Sequence, residues 1–338
     1  MLHTCMADYN YGIFKHFLMK NRLTGIILIF TAFISLNALA QGNVFGVNGS
    51  QTTLNGKPIT VLGLRCSNAL LSDTSTTDLI EYLDVYKRYG LNTVSVFVMG
   101  SRYGDIKGYN EDASLNEKFM VRLARIIEAA DKLEMIVLVG CLYWGGSKAK
   151  WELWEQKDAE RAIFNTVLWL AENNYRNVFI DVDNEGMGKK FKEFDQAGLV
   201  KSAKKADSSY FVATNFKGDP PPAADLGIHF SNKVPGKPYI ESEGTPDNAP
   251  GNYWGAYSKK PPLYNYINIG VYTDEMKQRQ IIMTKECLDK GWGYMMASTW
   301  LQCVPPHGPN AYPGGDGSEE NPGIRWWLEA VKEMMVKD

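Results

Sequence analysis

From residue 57 onward, short apolar runs alternate with longer amphipathic stretches, and this alternation limits the fold more than any other feature of the chain. Eight runs read as strands: KPITVLGLRC, GLNTVSVFVMG, LEMIVLVGCLYW, YRNVFIDVDNEG, SSYFVATNF, ADLGIHFS, KPYIESEG and GWGYMMASTW. Helical patterns fall between them at Asp78–Arg88, Asn116–Leu133, Asp158–Asn173, Phe194–Ala206 and Glu275–Lys290, with a last one at Pro322–Lys337. The Val- and Ile-rich runs do not alternate strictly with polar residues, which is the pattern of parallel strands covered on both faces. An open doubly wound sheet calls for a glycine-rich first turn, and GLRCSN has none. The expected fold is therefore α/β: a closed (β/α)8 TIM barrel forming a single domain over 41–338. A short N-terminal β-hairpin, FGVNGSQTTLNGKPIT, is expected to pack under or beside it.

Two links depart from the ideal repeat. KGDPPPA and NKVPGK, after the fifth and sixth strands, are proline- and glycine-rich and too short for full helices. In contrast, about thirty residues separate Gly244 from the helix at Glu275, and a loop of that length in a compact domain is usually functional.

The first 40 residues read differently from the rest. Lys20 and Arg22 precede the apolar run GIILIFTAFISL, which is followed by Ala38-Leu39-Ala40. That is the layout of a secretory signal peptide, and the run is too short for a spanning helix. Residues 1–40 are expected to be a leader cut after Ala40, giving a secreted or periplasmic protein with no stable membrane insertion. Without Lys15, Lys20, Arg22 and Asp8, 33 basic side chains face 37 acidic ones. A phosphate backbone demands a basic surface, so nucleic acid is excluded as a partner. Cys66, Cys141, Cys287 and Cys303 are spaced too widely for a zinc pattern. Export permits a disulfide, but small buried thiols are the expected state.

In such a barrel the chemistry sits at the C-terminal ends of the strands. The fourth run turns acidic there: Asp181, Asp183 and Glu185 follow Val178, Phe179 and Ile180, and a strand period of two puts all three carboxylates on one face. The seventh run also ends in glutamate, with Glu241 and Glu243 on a shared face and Glu243 further toward the mouth. Glu241 is expected to be a buried partner of an arginine. Two carboxylates about 5 to 5.5 Å apart are what retaining glycoside hydrolysis requires, one protonated to donate to the leaving oxygen and one ionised to attack the anomeric carbon.

FIDVDNEG resembles the fourth-strand E-x-x-N-E-P signature of glycoside hydrolase clan A, and KPYIESEG is similar to its seventh-strand K-P-x-x-x-x-E-x-G, one residue short before the glycine. The resemblance runs from about residue 57 and is closest to the family 5 cellulases and mannanases. It implies a retaining mechanism with Glu185 as acid/base and Glu243 as nucleophile. It further implies that Asn184 bonds the sugar 2-hydroxyl, that His229 lies beside both acids, and that Trp300 forms the platform under the reacting ring. The chain departs from the clan at Ser95, where an arginine is usual, at Cys141, where a histidine is common, at His229-Phe230-Ser231 in place of His-x-Tyr, and at Gly186 in place of proline. Arg65 on the first strand or Arg102 after the second is expected to supply the missing cation.

Loop aromatics point the same way, because pyranose rings pack their C–H faces on aromatic rings. Tyr143 and Trp144 follow the third strand, Tyr253, Trp254 and Tyr257 fall in the long seventh loop, and Tyr312 follows the eighth strand. Trp144 and Trp254 join Arg65, Asn184, His229 and Trp300 as expected substrate contacts. A serine hydrolase is excluded by the lack of G-x-S-x-G. Asp181-Val182-Asp183 also fits the metal-binding Asp-x-Asp of nucleotide-sugar transferases, but no nucleotide-binding feature accompanies it. The expected function is cleavage of a β-linked poly- or oligosaccharide with no metal or organic cofactor. The alternative is a carbohydrate-binding barrel without turnover.

Overall fold

The computed structural model describes residues 42–100, 106–143, 154–186, 188, 193–242, 274–297, 301, 316–320 and 322–336. Residues 43–338 form one compact unit. The expected leader lies outside the described residues, and no helix among them is long and apolar enough to cross a membrane.

Eight parallel strands close into a barrel. They are β4 (Leu62–Arg65), β5 (Thr93–Phe97), β6 (Ile136–Leu142), β7 (Val178–Asn184), β8 (Val212–Asn215), β9 (Leu226–Ile228), β10 (Tyr239–Glu241) and β11 (Gly293–Ala297). Each pairs with the next, and β11 returns to β4. These are the eight runs read from the sequence. KPITVLGLRC is split, however: Lys57–Ile59 forms β3 of a separate antiparallel sheet with β1 (Phe45–Asn48) and β2 (Gln51–Leu54). The expected hairpin is thus three-stranded.

The described helices are α1 (Asp73–Arg88), α2 (Glu117–Lys132), α3 (Gln156–Glu172), α4 (Gln196–Ala206), α5 (Asp274–Asp289) and α6 (Arg325–Val336). Helix α1 begins at Asp73 rather than Asp78, because the Ser72 hydroxyl accepts from Ser75 N and caps it. The Ser/Thr-rich first turn hid that start, since these residues favour caps and turns over helix interiors. No helix stands among the described residues between β8 and β9 or between β9 and β10, as the two proline-rich links predict.

Two apolar layers hold the barrel. The outer one joins strand residues such as Leu64, Val96, Val139, Ile180 and Val212 to helix residues such as Leu79, Leu83, Ile126 and Ile163. The inner one contains Phe97, Leu138, Phe179, Ala213, Ile228, Ile240 and Met295 and no helix residue. Phe45 of β1 belongs to the inner layer and stacks on Phe179 with ring centroids 4.8 Å apart. Val61 and Ile136, at the starts of strands, share that cluster, so the small sheet closes the N-terminal end of the barrel. The opposite end is left for chemistry.

Candidate active site

The fourth barrel strand does not keep its alternation to the end. Asp181 pairs with Ala213 and Asn184 with Asn215, so three residues of β7 span what two span on β8. This bulge turns Asn184, rather than Asp183, into the barrel interior. Asp181 faces the interior beside Arg65 and Asn215, whereas Asp183 accepts from Gly188 N (2.8 Å) and from Gln196 Nε2 (3.0 Å) at the start of α4. The three acids therefore do not share a face, contrary to the period-two expectation. The chain then turns through Glu185 and Gly186 with φ of 57° and 68°. Glycine suits 186, where φ is 68° and a Cβ would stand 2.6 Å from the Phe216 ring.

Arg65 ties this strand end to the seventh. It is 2% exposed and donates from Nη2 to Asn184 Oδ1 and from Nη1 to Ser242 Oγ, each at 3.1 Å. Asn215 Nδ2 donates to the same Asn184 oxygen at 2.9 Å. With Oδ1 occupied by two donors, the Asn184 amide nitrogen is turned to Glu185 Oε1, at 3.2 Å. Around the guanidinium stand the rings of Phe97 and Tyr143, with centroids 5.5 and 5.7 Å from its carbon. Gly140 makes this stacking possible, because a Cβ there would lie 2.1 Å from the Phe97 ring. Ser95 sits directly across from Arg65 in the strand register, and its small side chain leaves the space that the arginine fills.

Burial governs the two aspartates. The Asp181 carboxyl is pushed up to about 7 by desolvation, with Arg65 and Asn215 pulling it back. The Asp183 carboxyl is pushed up to about 8, again by burial, against the hydrogen bonds from Gly188 and Gln196. Because Asp181 and Asp183 face different neighbours, their carboxyls do not converge on a shared ion. Among the described residues no group of three or more His, Cys, Asp or Glu side chains is placed to hold a metal ion.

The seventh strand corrects a further expectation. Ile240 belongs to the inner layer, so Glu241 points to the outer face, where among the described residues it pairs with His229 rather than with an arginine. Glu241 Oε1 lies 2.5 Å from His229 Nδ1, and the Tyr239 hydroxyl lies 2.9 Å from Glu241 Oε2. Cys141 also faces outward, into the strand–helix layer, and Tyr143 is buried in the interior rather than standing at the rim. Cys66, Cys141 and Cys287 are buried thiols, as expected.

Of the residues expected in the site, Arg65, Asn184 and Glu185 come together and His229 joins Glu241. Glu243, Trp300, Trp144, Trp254 and Arg102 lie outside the described residues, as do Tyr253, Tyr257, Cys303 and Tyr312. The sequence reading missed Asn215 and Ser242. Asn215 was legible in principle, as a polar residue ending a buried run two positions after inward-facing Ala213. A hollow of about 530 Å³ opens at the same end of the barrel, lined by Phe194, Gln196, Thr214, Phe216, Lys217 and Asp219 among others.

No family model matches the chain, and no curated protein matches it. Solved structures do. A glycoside hydrolase family 5 mannosidase from Rhizomucor miehei is 10% identical, with a TM-score of 0.58 over 88% of this chain and 98% of that one. A glycoside hydrolase family 5 structure from Bacteroides vulgatus is 16% identical, with a TM-score of 0.56 over 88% of this chain and 72% of that one. A second structure from the same organism, described as a glycoside hydrolase, is 13% identical with a TM-score of 0.60, and the chain spans 62% of it. At these identities the likeness is one of fold.

Proposed function

We propose that this chain is a secreted retaining glycoside hydrolase acting on a β-linked poly- or oligosaccharide, with Glu185 as acid/base and Glu243 as nucleophile. One observation carries the reading: the buried relay from Arg65 through Asn184 to Glu185, which holds an acid at the end of the fourth strand of a closed barrel. Glu185 donates its proton to the departing glycosidic oxygen while Glu243 attacks the anomeric carbon; Glu185 then takes a proton from the water that releases the sugar. No cofactor enters either step. Asn184 presents its amide nitrogen on the side of Glu185, where a sugar hydroxyl beside the broken bond can accept from it.

Arg65 supports the nucleophile's end as well. Its second hydrogen bond goes to Ser242, the residue before Glu243. Trp300 is assigned to the reacting ring on the sequence resemblance and Trp144 and Trp254 to neighbouring sugar rings as loop aromatics, whereas His229 pairs with Glu241 behind the strand ends.

Glycoside hydrolase family 5 structures with this fold include a mannosidase and an endo-1,4-beta-mannanase from Rhizomucor miehei, so β-1,4-mannan is the first probe and β-1,4-glucan the second. The secreted protein is incubated with each, reducing ends are measured, and the anomeric configuration of the first product is followed by proton NMR. The expected result is release with retention of configuration, abolished in Glu185→Gln and Glu243→Gln. Inversion would remove the double displacement, and binding without new reducing ends would leave a carbohydrate-binding barrel instead. Secretion is tested separately by N-terminal sequencing, which is expected to begin at Gln41.

A further inference from the structure

We propose that Glu241 is a positioning residue that acts through His229, fixing the imidazole with its proton on Nδ1 and locking the ends of the sixth and seventh barrel strands to each other. His229 Nδ1 and Glu241 Oε1 are 2.5 Å apart, with both side chains more than nine-tenths buried. A carboxylate oxygen at that distance accepts, so Nδ1 donates and Nε2 is left as the other face of the ring. The Tyr239 hydroxyl completes the cluster, reaching Glu241 Oε2 at 2.9 Å and His229 O at 2.7 Å. His229 N also donates to Ile240 O, and His229 has a φ of 45°, which a non-glycine residue adopts only where its surroundings impose it.

What makes this more than a buried pair is where the chain goes next on each side. The residue after His229 is Phe230, whose N–H donates to Asn215 Oδ1, and Asn215 donates to Asn184. The residue after Glu241 is Ser242, which accepts from Arg65. The His229–Glu241 contact thus stands one residue behind two separate entries into the network that ends on Glu185. Glu241 itself faces outward toward Cys287 of α5, with Lys233 over the Tyr239 and Trp292 rings beyond. It acts by holding the register of two short strands that are each paired through only two residue positions.

The kinetic arm of the test rests on the function proposed above, and the spectroscopic arm does not. In the full secreted protein, 15N NMR of the histidine side chains, assigned with His307→Gln, is expected to show His229 protonated on Nδ1. A ring protonated on Nε2 alone overturns the proposal. With β-1,4-mannan and β-1,4-glucan as probes, Glu241→Leu is expected to lower kcat about tenfold or more, because a shift of either strand end displaces Asn184 and Arg65 and with them Glu185. KM is expected to stay within about twofold, and Glu241→Gln, whose amide oxygen still accepts from Nδ1, restores most of kcat. Where Glu241→Leu does not fold, Tyr239→Phe replaces it, since it removes one anchor and keeps the pair. Unchanged kcat in every folded variant overturns the proposal. A wild-type protein that releases nothing from either glycan sinks the function and leaves the tautomer to decide the positioning.

Discussion

Arg65 Nη2 lies 3.1 Å from Asn184 Oδ1 although the strands that carry them, β4 and β7, are separated by two others in the barrel. The length of the arginine side chain lets it cross that interior, with its guanidinium near the rings of Phe97 and Tyr143. The same guanidinium reaches Ser242, so one buried cation aligns the ends of the fourth and seventh strands.

Arg65→Lys keeps the charge but is shorter and has no planar fork to reach Asn184 and Ser242 at once in the same geometry. Its kcat/KM is expected to fall at least tenfold. Arg65→Ala removes both bonds and leaves buried acceptors, for a loss of about 100-fold, or roughly 3 kcal/mol. Initial rates on the hydrolysed glycan measure both, and a wild-type kcat/KM in Arg65→Ala would remove Arg65 from the site.

Asn215→Asp replaces the donor that meets Asn184 Oδ1 with an acceptor of the same shape. The Asn184 amide then loses one of the two donors that orient it, and its Nδ2 is drawn away from Glu185. A fall in kcat of about tenfold is expected, with KM little changed, because the orientation matters most while the proton is in transfer. Asn215→Ala should show a smaller fall, since it removes one donor without adding a competitor.

Gly186→Ala is expected to destabilise the fold by more than about 1 kcal/mol, because the position has a left-handed backbone. The added methyl also strikes the Phe216 ring. Phe216→Ala in the same chain relieves the second cost and not the first. Urea midpoints of the two single variants and the double variant separate the terms, and strictly additive losses would show that the ring contact is not limiting.

The pH dependence of stability follows from Asp183. Its folded value is raised from 3.8 to about 8, so the folded state holds a proton there that the unfolded state has already lost. The stabilisation is complete below pH 3.8, is lost as pH rises from there through about 8, and is level above that. Asp183→Asn is neutral throughout, and rotation of the Gln196 amide offers it an acceptor. The slope of stability against pH is therefore expected to flatten across this window, and the variant to be the more stable protein at pH 9. Asp181, raised to about 7, contributes a second and similar slope that remains. Denaturant titrations at pH 5 and pH 9 test this, and an unchanged slope in Asp183→Asn would show that Asp183 ionises freely in the folded state.

Much of the architecture was legible in the residues. A strand buried on both faces must be apolar at nearly every position, and a helix on the barrel must show its stripe, so β5, β6, β7 and β11 announced themselves, as did α2, α3 and α4. Glu185 was legible for a related reason: an acid at the end of an apolar run has to emerge at a rim. Helix α1 was read short because its first turn favours capping. Glu241 was given an arginine as partner because its neighbour across the sheet, His229, is invisible to any rule about spacing.

By itself, the sequence determined the eight-strand count and the closed barrel, since these follow from local periodicity and from where polarity interrupts it. Tertiary structure alone decided which polar groups meet. One extra residue in β7 moved Asn184 inward in place of Asp183, and the small side chain of Ser95 left room for Arg65 to cross from the first strand. The physical reason is that a barrel's interior contacts join strands far apart in the chain. Their pairing depends on register and side-chain reach, which no single segment encodes.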